Sequence, residues 1–153
     1  MKFWVFAFNP LERYMDNYQE VFDAWEAGGV RGLVVGRMFF MAADGSHVPA
    51  IPQDPAAYKH FGLEPPPAAA RDEVKEQALS AMFDDAKRRG WPLMVFDSGT
   101  PAHVQSLVNR YPQVDGVITD GPGENHYELA KHHGGELFEL RPHEQTQFGD
   151  MGF

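Results

Sequence analysis

Leu93-Met94-Val95-Phe96-Asp97-Ser98-Gly99-Thr100-Pro101 is the stretch that decides the fold class. Four apolar residues in a row suit a strand buried on both faces, as in a parallel sheet. A polar, glycine-containing turn follows, and Thr100-Pro101 then reads as a helix cap with proline at the first helical position. Val104, Leu107, Val108 and Tyr111 recur at helical spacing, with Pro112 beyond the end. One strand, one turn and one helix in this order form the repeating unit of a parallel α/β protein.

The same unit recurs on either side. Upstream, Phe3 to Phe8 is an apolar run that ends on Asn9-Pro10, and Tyr18, Val21, Phe22 and Trp25 share a helical face. Asn9 fits that helix's cap with Glu12 at its third position, and Asp16 offers a second start. Gly28-Gly29 stops the helix. Gly32 to Gly36 is a second buried strand, followed by Arg37 and the apolar stretch Met38 to Ala43. Residues 44–70 hold Pro49, Pro52, Pro55, Pro65, Pro66 and Pro67 and read as a long loop with a short helical turn near Ala56–His60. Val74, Ala78, Leu79, Met82, Phe83 and Ala86 mark the next helix, which Gly90 ends. Downstream, Val114 to Thr119 is the fourth strand, Glu124 to His133 a further helix, and Leu137 to Leu140 the start of a fifth element.

The alternation implies a parallel sheet with right-handed crossovers in one domain spanning 1–153. Half of a (β/α)8 TIM barrel is the expected architecture, and a small open doubly wound sheet is the alternative. No glycine-rich phosphate fingerprint follows the first strand, and polar residues (Asn9, Arg37, Asp97, Asp120) end every strand. A full barrel needs roughly 250 residues, so the 153 residues here are expected to be completed by a second copy or by the remainder of a longer chain.

Composition narrows the partners. A net charge of −9 with no basic stripe argues against a nucleic acid partner and favours a small neutral substrate. Arg88 and Arg89 suit the end of their helix. Without cysteine, disulfide scaffolds and Cys-based zinc sites are excluded. The apolar start is too short for a signal peptide core or a membrane span, so no membrane partner and a cytoplasmic location are expected.

Ligands of parallel α/β folds bind outside the carboxyl ends of the strands. Candidate substrate-binding residues are therefore Asn9, Arg37, Asp97, Asn125 and His126, with Asp120 and Glu124 as candidate catalytic carboxylates. Two carboxylates in different surroundings can hold separate acid and base roles. Asp120 equally fits a helix cap, and Glu124 the first turn that follows. Glu128 and His132 have metal-ligand spacing, but helix histidines near a carboxyl terminus need no metal to explain them, and neither a metal nor a cofactor is expected. His103 reads as surface, and Trp4, Trp25 and Trp91 as core. Tyr58, His60 and Phe61 are the aromatics best placed to stack on a sugar ring.

Trp91 to Gly99, Val114 to Glu128 and His132 to Leu137 together resemble bacterial glycoside-hydrolase-like TIM barrels over most of the chain, as the amino-terminal half of such a protein. The resemblance implies a carbohydrate substrate, with Glu124 at the end of strand four as acid/base. Family members carry an Asn directly before that Glu; here Gly123 precedes it and Asn125 follows. The family's nucleophile lies on a seventh strand. Val114 to Pro122 is also similar to a late strand of glycerophosphodiester phosphodiesterases, metal-dependent barrels, although their His-Arg pair after strand one is missing. A non-catalytic half-barrel that assembles through its sheet edges is a third reading.

Overall fold

A computed structural model describes residues 3–7, 10–97, 100–119 and 136–139. Five parallel strands form one sheet in the order β1 (Phe3–Ala7), β2 (Val30–Gly36), β5 (Leu93–Phe96), β6 (Gly116–Thr119), β7 (Glu136–Glu139). Their spatial order equals their chain order; Val35 pairs with Val95 and Val95 with Val117, while the β1–β2 register shifts between Phe3 and Val5. Between β2 and β5 the chain adds an antiparallel hairpin, β3 (Phe39–Met41) and β4 (His47–Pro49).

The helices are α1 (Glu12–Met15), α2 (Tyr18–Ala27), α3 (Pro55–His60), α4 (Glu73–Arg88) and α5 (Pro101–Arg110). Phe22 of α2, Leu79, Met82 and Phe83 of α4, and Leu107 of α5 share one buried cluster with Ala7, Leu33, Val35, Leu93 and Val95. Strand alternation puts Phe6, Val34 and Met94, which are paired in register, on the opposite face. The long helices therefore pack on a single face of the sheet, which follows when successive crossovers of one hand advance in one direction.

Local chemistry explains the boundaries. Thr100 caps α5 through His103 N, Asp72 caps α4 through Lys75 N, and Asp54 caps α3 with Pro55 at the first position. Gly29 and Gly90 sit at positive φ just past the ends of α2 and α4, where a side chain would be strained. Two helices follow β1: α1 has no side-chain cap, and α2 starts after Asn17, one residue past the second start that Asp16 offered.

Three expectations about burial change. Val74 is 78% exposed, because the core stripe of α4 runs through Glu76, Leu79, Met82, Phe83 and Ala86. Trp4 is 45% exposed and lies over Gly32, whereas Trp91 is buried as expected. Residues 50–61, within the expected long loop, dock on the core and on α5. Ala50, Ile51, Ala57 and Tyr58 are buried, and Tyr58 packs with Ala102 of α5. The expected helical turn near 56–60 is α3.

Two ion clusters staple the helices. Glu76, almost fully buried, accepts from Arg71 at 2.7 and 3.0 Å and from Arg110 at 3.0 Å. Burial pushes its carboxyl upward, but the hydrogen bonds and charges of both arginines outweigh that and hold it below the usual range. Asp85 pairs with Arg88 and Arg89, and Arg89 also reaches Asp23 and Glu26 on α2. The two arginines thus bind carboxylates as well as ending a helix.

Candidate functional site

The carboxyl ends of β2 and β5 lie side by side. Gly36 pairs with Phe96, and Arg37 N donates to Phe96 O at 2.9 Å, so Arg37 and Asp97 continue the ladder one step past the strands. Arg37 has φ of 35°, the one non-glycine residue at positive φ among those described. A residue with a Cβ pays for that conformation, and such strain gathers at functional sites. Its side chain is exposed and makes no hydrogen bond or ion pair among the described residues.

Asp97, 9% exposed, is held from the next element. His103 in the first turn of α5 places Nε2 3.0 Å from Asp97 Oδ2. The other ring nitrogen, Nδ1, lies 3.3 Å from Gln53 Nε2, and Gln53 Oε1 accepts from the Tyr58 hydroxyl at 2.5 Å. Donor chemistry orders this chain. With the Gln53 amide nitrogen facing the ring, Nδ1 is the acceptor of that contact and Nε2 the donor to the carboxylate. Asp54 N also donates to Ser106 Oγ at 3.0 Å, fastening the same segment to α5.

A second polar cluster stands at the start of α1. Glu12 Oε1 accepts from Met41 N at 2.8 Å and from Lys75 Nζ at 3.0 Å, and Lys75 also donates to Met41 O. Burial raises the Glu12 carboxyl, but hydrogen bonds from backbone N–H groups and Lys75 outweigh it, so the group lies below its ordinary value. Glu12 therefore ties the hairpin to α4.

Of the residues expected at the site, the structure brings Arg37 and Asp97 together. Asn9, Asp120, Glu124, Asn125 and His126 lie outside the described residues, as do Glu128 and His132. Tyr58 is buried, so its ring presents no free face for stacking; Phe61 packs on Val104 and Val117, and His60 is exposed. Gln53 and Tyr58 were not singled out for a polar role, and His103 was read as surface. The Asp97 to His103 spacing of six residues across a capped helix start was the available signal for that pair.

Among the described residues no group of three or more His, Cys, Asp or Glu side chains is arranged to hold a metal ion. No described helix is long and apolar enough to cross a membrane. No family model, curated protein or solved structure matches the chain.

Proposed function

We propose that this chain is a glycoside-hydrolase-like, carbohydrate-active protein built as a half-barrel, with its site over the carboxyl ends of β2, β5 and β6. The carrying observation is the juxtaposition of Arg37 and Asp97 there. A fixed carboxylate accepts from sugar hydroxyls, and the Arg37 guanidinium, without a partner among the described residues, donates to them and offsets the negative charge. The sequential strand order supports a barrel-type winding, since doubly wound sheets reverse their order at a switch point. In this reading Glu124 protonates the glycosidic oxygen, and Asp97 and Asp120 hold hydroxyls or tune Glu124. Asn9, Asn125 and His126 complete the polar lining.

Calorimetric titration with a panel of gluco-, galacto- and manno-configured oligosaccharides, together with turnover of the matching p-nitrophenyl glycosides, tests the reading. At least one sugar is expected to bind, with affinity lowered about tenfold by Asp97→Ala through loss of a charged hydrogen bond. Any turnover is expected to fall about a thousandfold in Glu124→Gln, the typical share of general acid catalysis. Absence of binding across the panel would overturn the proposal.

A second reading, a half-barrel that assembles without catalysis, is favoured by β1. It is an edge strand with Phe3 and Trp4 each nearly half exposed and no charged residue to block pairing. Light scattering across a dilution series separates the two. A monomer at every concentration would count against assembly through this edge.

A further inference from the structure

Arg37 combines a strained backbone with an exposed side chain that has no partner among the described residues. We propose that Arg37 selects acidic sugars, its guanidinium binding the carboxylate of a uronic acid. The ligand of this rim then carries a single negative charge. The proposal rests on the reading of the rim as a carbohydrate site and names the class of sugar that the site takes.

The strain belongs to the turn that leaves β2. Arg37 N is still in the ladder, donating to Phe96 O at 2.9 Å, and Phe39 N closes on Arg37 O at 3.0 Å. Met38 between them is buried, and Ala50 N donates to its carbonyl at 3.0 Å. The chain is thus held on both sides of Arg37 and turns there, with a φ of 35°. Glycine enters that region without a Cβ clash, and glycine fills every other positive-φ position among the described residues. Packing gives no reason for a larger residue at 37, because the side chain is exposed. A strained residue whose side chain does nothing for the fold points to a ligand.

Charge decides the kind of ligand. The chain has 22 Asp and Glu against 13 Lys and Arg. Arg71, Lys75, Lys87, Arg88, Arg89 and Arg110 each hold a carboxylate of the fold. Arg37 holds none among the described residues, although Asp97 ends the neighbouring strand; the Asp97 carboxylate meets His103 at 3.0 Å instead. A planar guanidinium offers a carboxylate two parallel N–H donors, a geometry that an ammonium lacks. Its one positive charge balances one negative charge. A phosphate is ordinarily cradled by the backbone of a glycine-rich turn as well, and the turn after β2 reads Gly36-Arg37-Met38-Phe39. The net charge of −9 disfavours a polyanion. Within carbohydrates these limits point to a sugar with one carboxylate.

Calorimetric titration with matched ligands tests this: each member of the oligosaccharide panel beside its counterpart oxidised at C6 to a single terminal uronic acid. The parent protein is expected to bind the acid form of its sugar about tenfold more tightly than the neutral form, the gain of one charge-assisted contact. Arg37→Gly is expected to bind both forms alike, with a urea midpoint no lower than the parent's, because glycine relieves the backbone at this φ. Arg37→Lys keeps the charge without the fork, and its preference is expected to fall between the two. Acid and neutral forms bound alike by the parent would overturn the inference and leave the carbohydrate reading standing. An Arg37→Gly protein that keeps the preference would also overturn it. So would a lowered urea midpoint in that variant, since the side chain would then serve the fold. A phosphorylated or sulfated counterpart bound more tightly than the uronic acid would overturn the choice of a carboxylate. If no sugar of either form binds, the carbohydrate reading and this inference fall together.

Discussion

Tyr111 and Glu76 show how single polar groups are carried inside this fold. The Tyr111 hydroxyl is buried and donates to Ala50 O at 2.6 Å, and burial pushes its ionisation well above the usual phenol range. Tyr111→Phe keeps the ring against Phe83 but strands the Ala50 carbonyl, so a loss of about 1–2 kcal/mol is expected in urea unfolding. Glu76 gives a pH signature. Its folded-state value lies below the ordinary 4.5, so its contribution is present above that pH and is lost as pH falls through the folded value. Glu76→Gln is therefore expected to cost roughly 1–2 kcal/mol near neutral pH. The difference from the parent should shrink steadily below pH 4.5. Unfolding curves measured from neutral pH downward check this, and a difference independent of pH would contradict it. At this scale the sequence was legible where a residue's neighbours are local. Thr100 and the glycines past the helix ends could be read directly. Glu12, bonded to Met41 across 29 residues, and the relay through Gln53 could not, because their partners come from tertiary packing.

At the scale of elements, the seat of the Trp4 ring of β1 on β2 depends on Gly32. A Cβ there would lie 2.5 Å from the indole of Trp4, although the ring can swing toward solvent. Gly32→Ala is expected to displace Trp4, changing near-UV circular dichroism and tryptophan emission at a stability cost of about 1–3 kcal/mol, the range of local overpacking. Unchanged spectra would mean that the ring does not rest on this strand. Strands and long helices were legible because buried parallel strands are continuous apolar runs and helices repeat at 3.6 residues. The hairpin was missed, because Met38 to Ala43 reads only as an apolar stretch after the second strand and His47 to Pro49 falls in the proline-rich loop. Its signal was Asp44-Gly45 between apolar flanks: Asp44 Oδ1 accepts from Ser46 N at 2.9 Å, and Gly45 takes a φ of 81°. The proline density of 44–70 likewise masked the four buried residues that dock it on the core and on α5.

At the scale of the whole molecule, the sheet winds in one direction and carries its long helices on one face. Its carboxyl-end rim then gathers Arg37 from the β2 unit and Asp97 and His103 from the β5–α5 unit, which is how strand–helix repeats build a site from distant sequence. The strand-end rule located Arg37 and Asp97 from sequence alone, because turn polarity after an apolar run is a local feature. Gln53 and Tyr58 were not legible there, because they reach His103 only once folded, whereas His103 itself stands six residues from Asp97. The claim that this rim is the ligand site is tested most directly by NMR of isotope-labelled protein titrated with the oligosaccharide panel. The account expects amide shifts concentrated at Gly36 to Met38, at Phe96 and Asp97, and at His103. No shifts across the panel, or shifts concentrated at the opposite rim around Val30, Arg31 and Asp115, would contradict it.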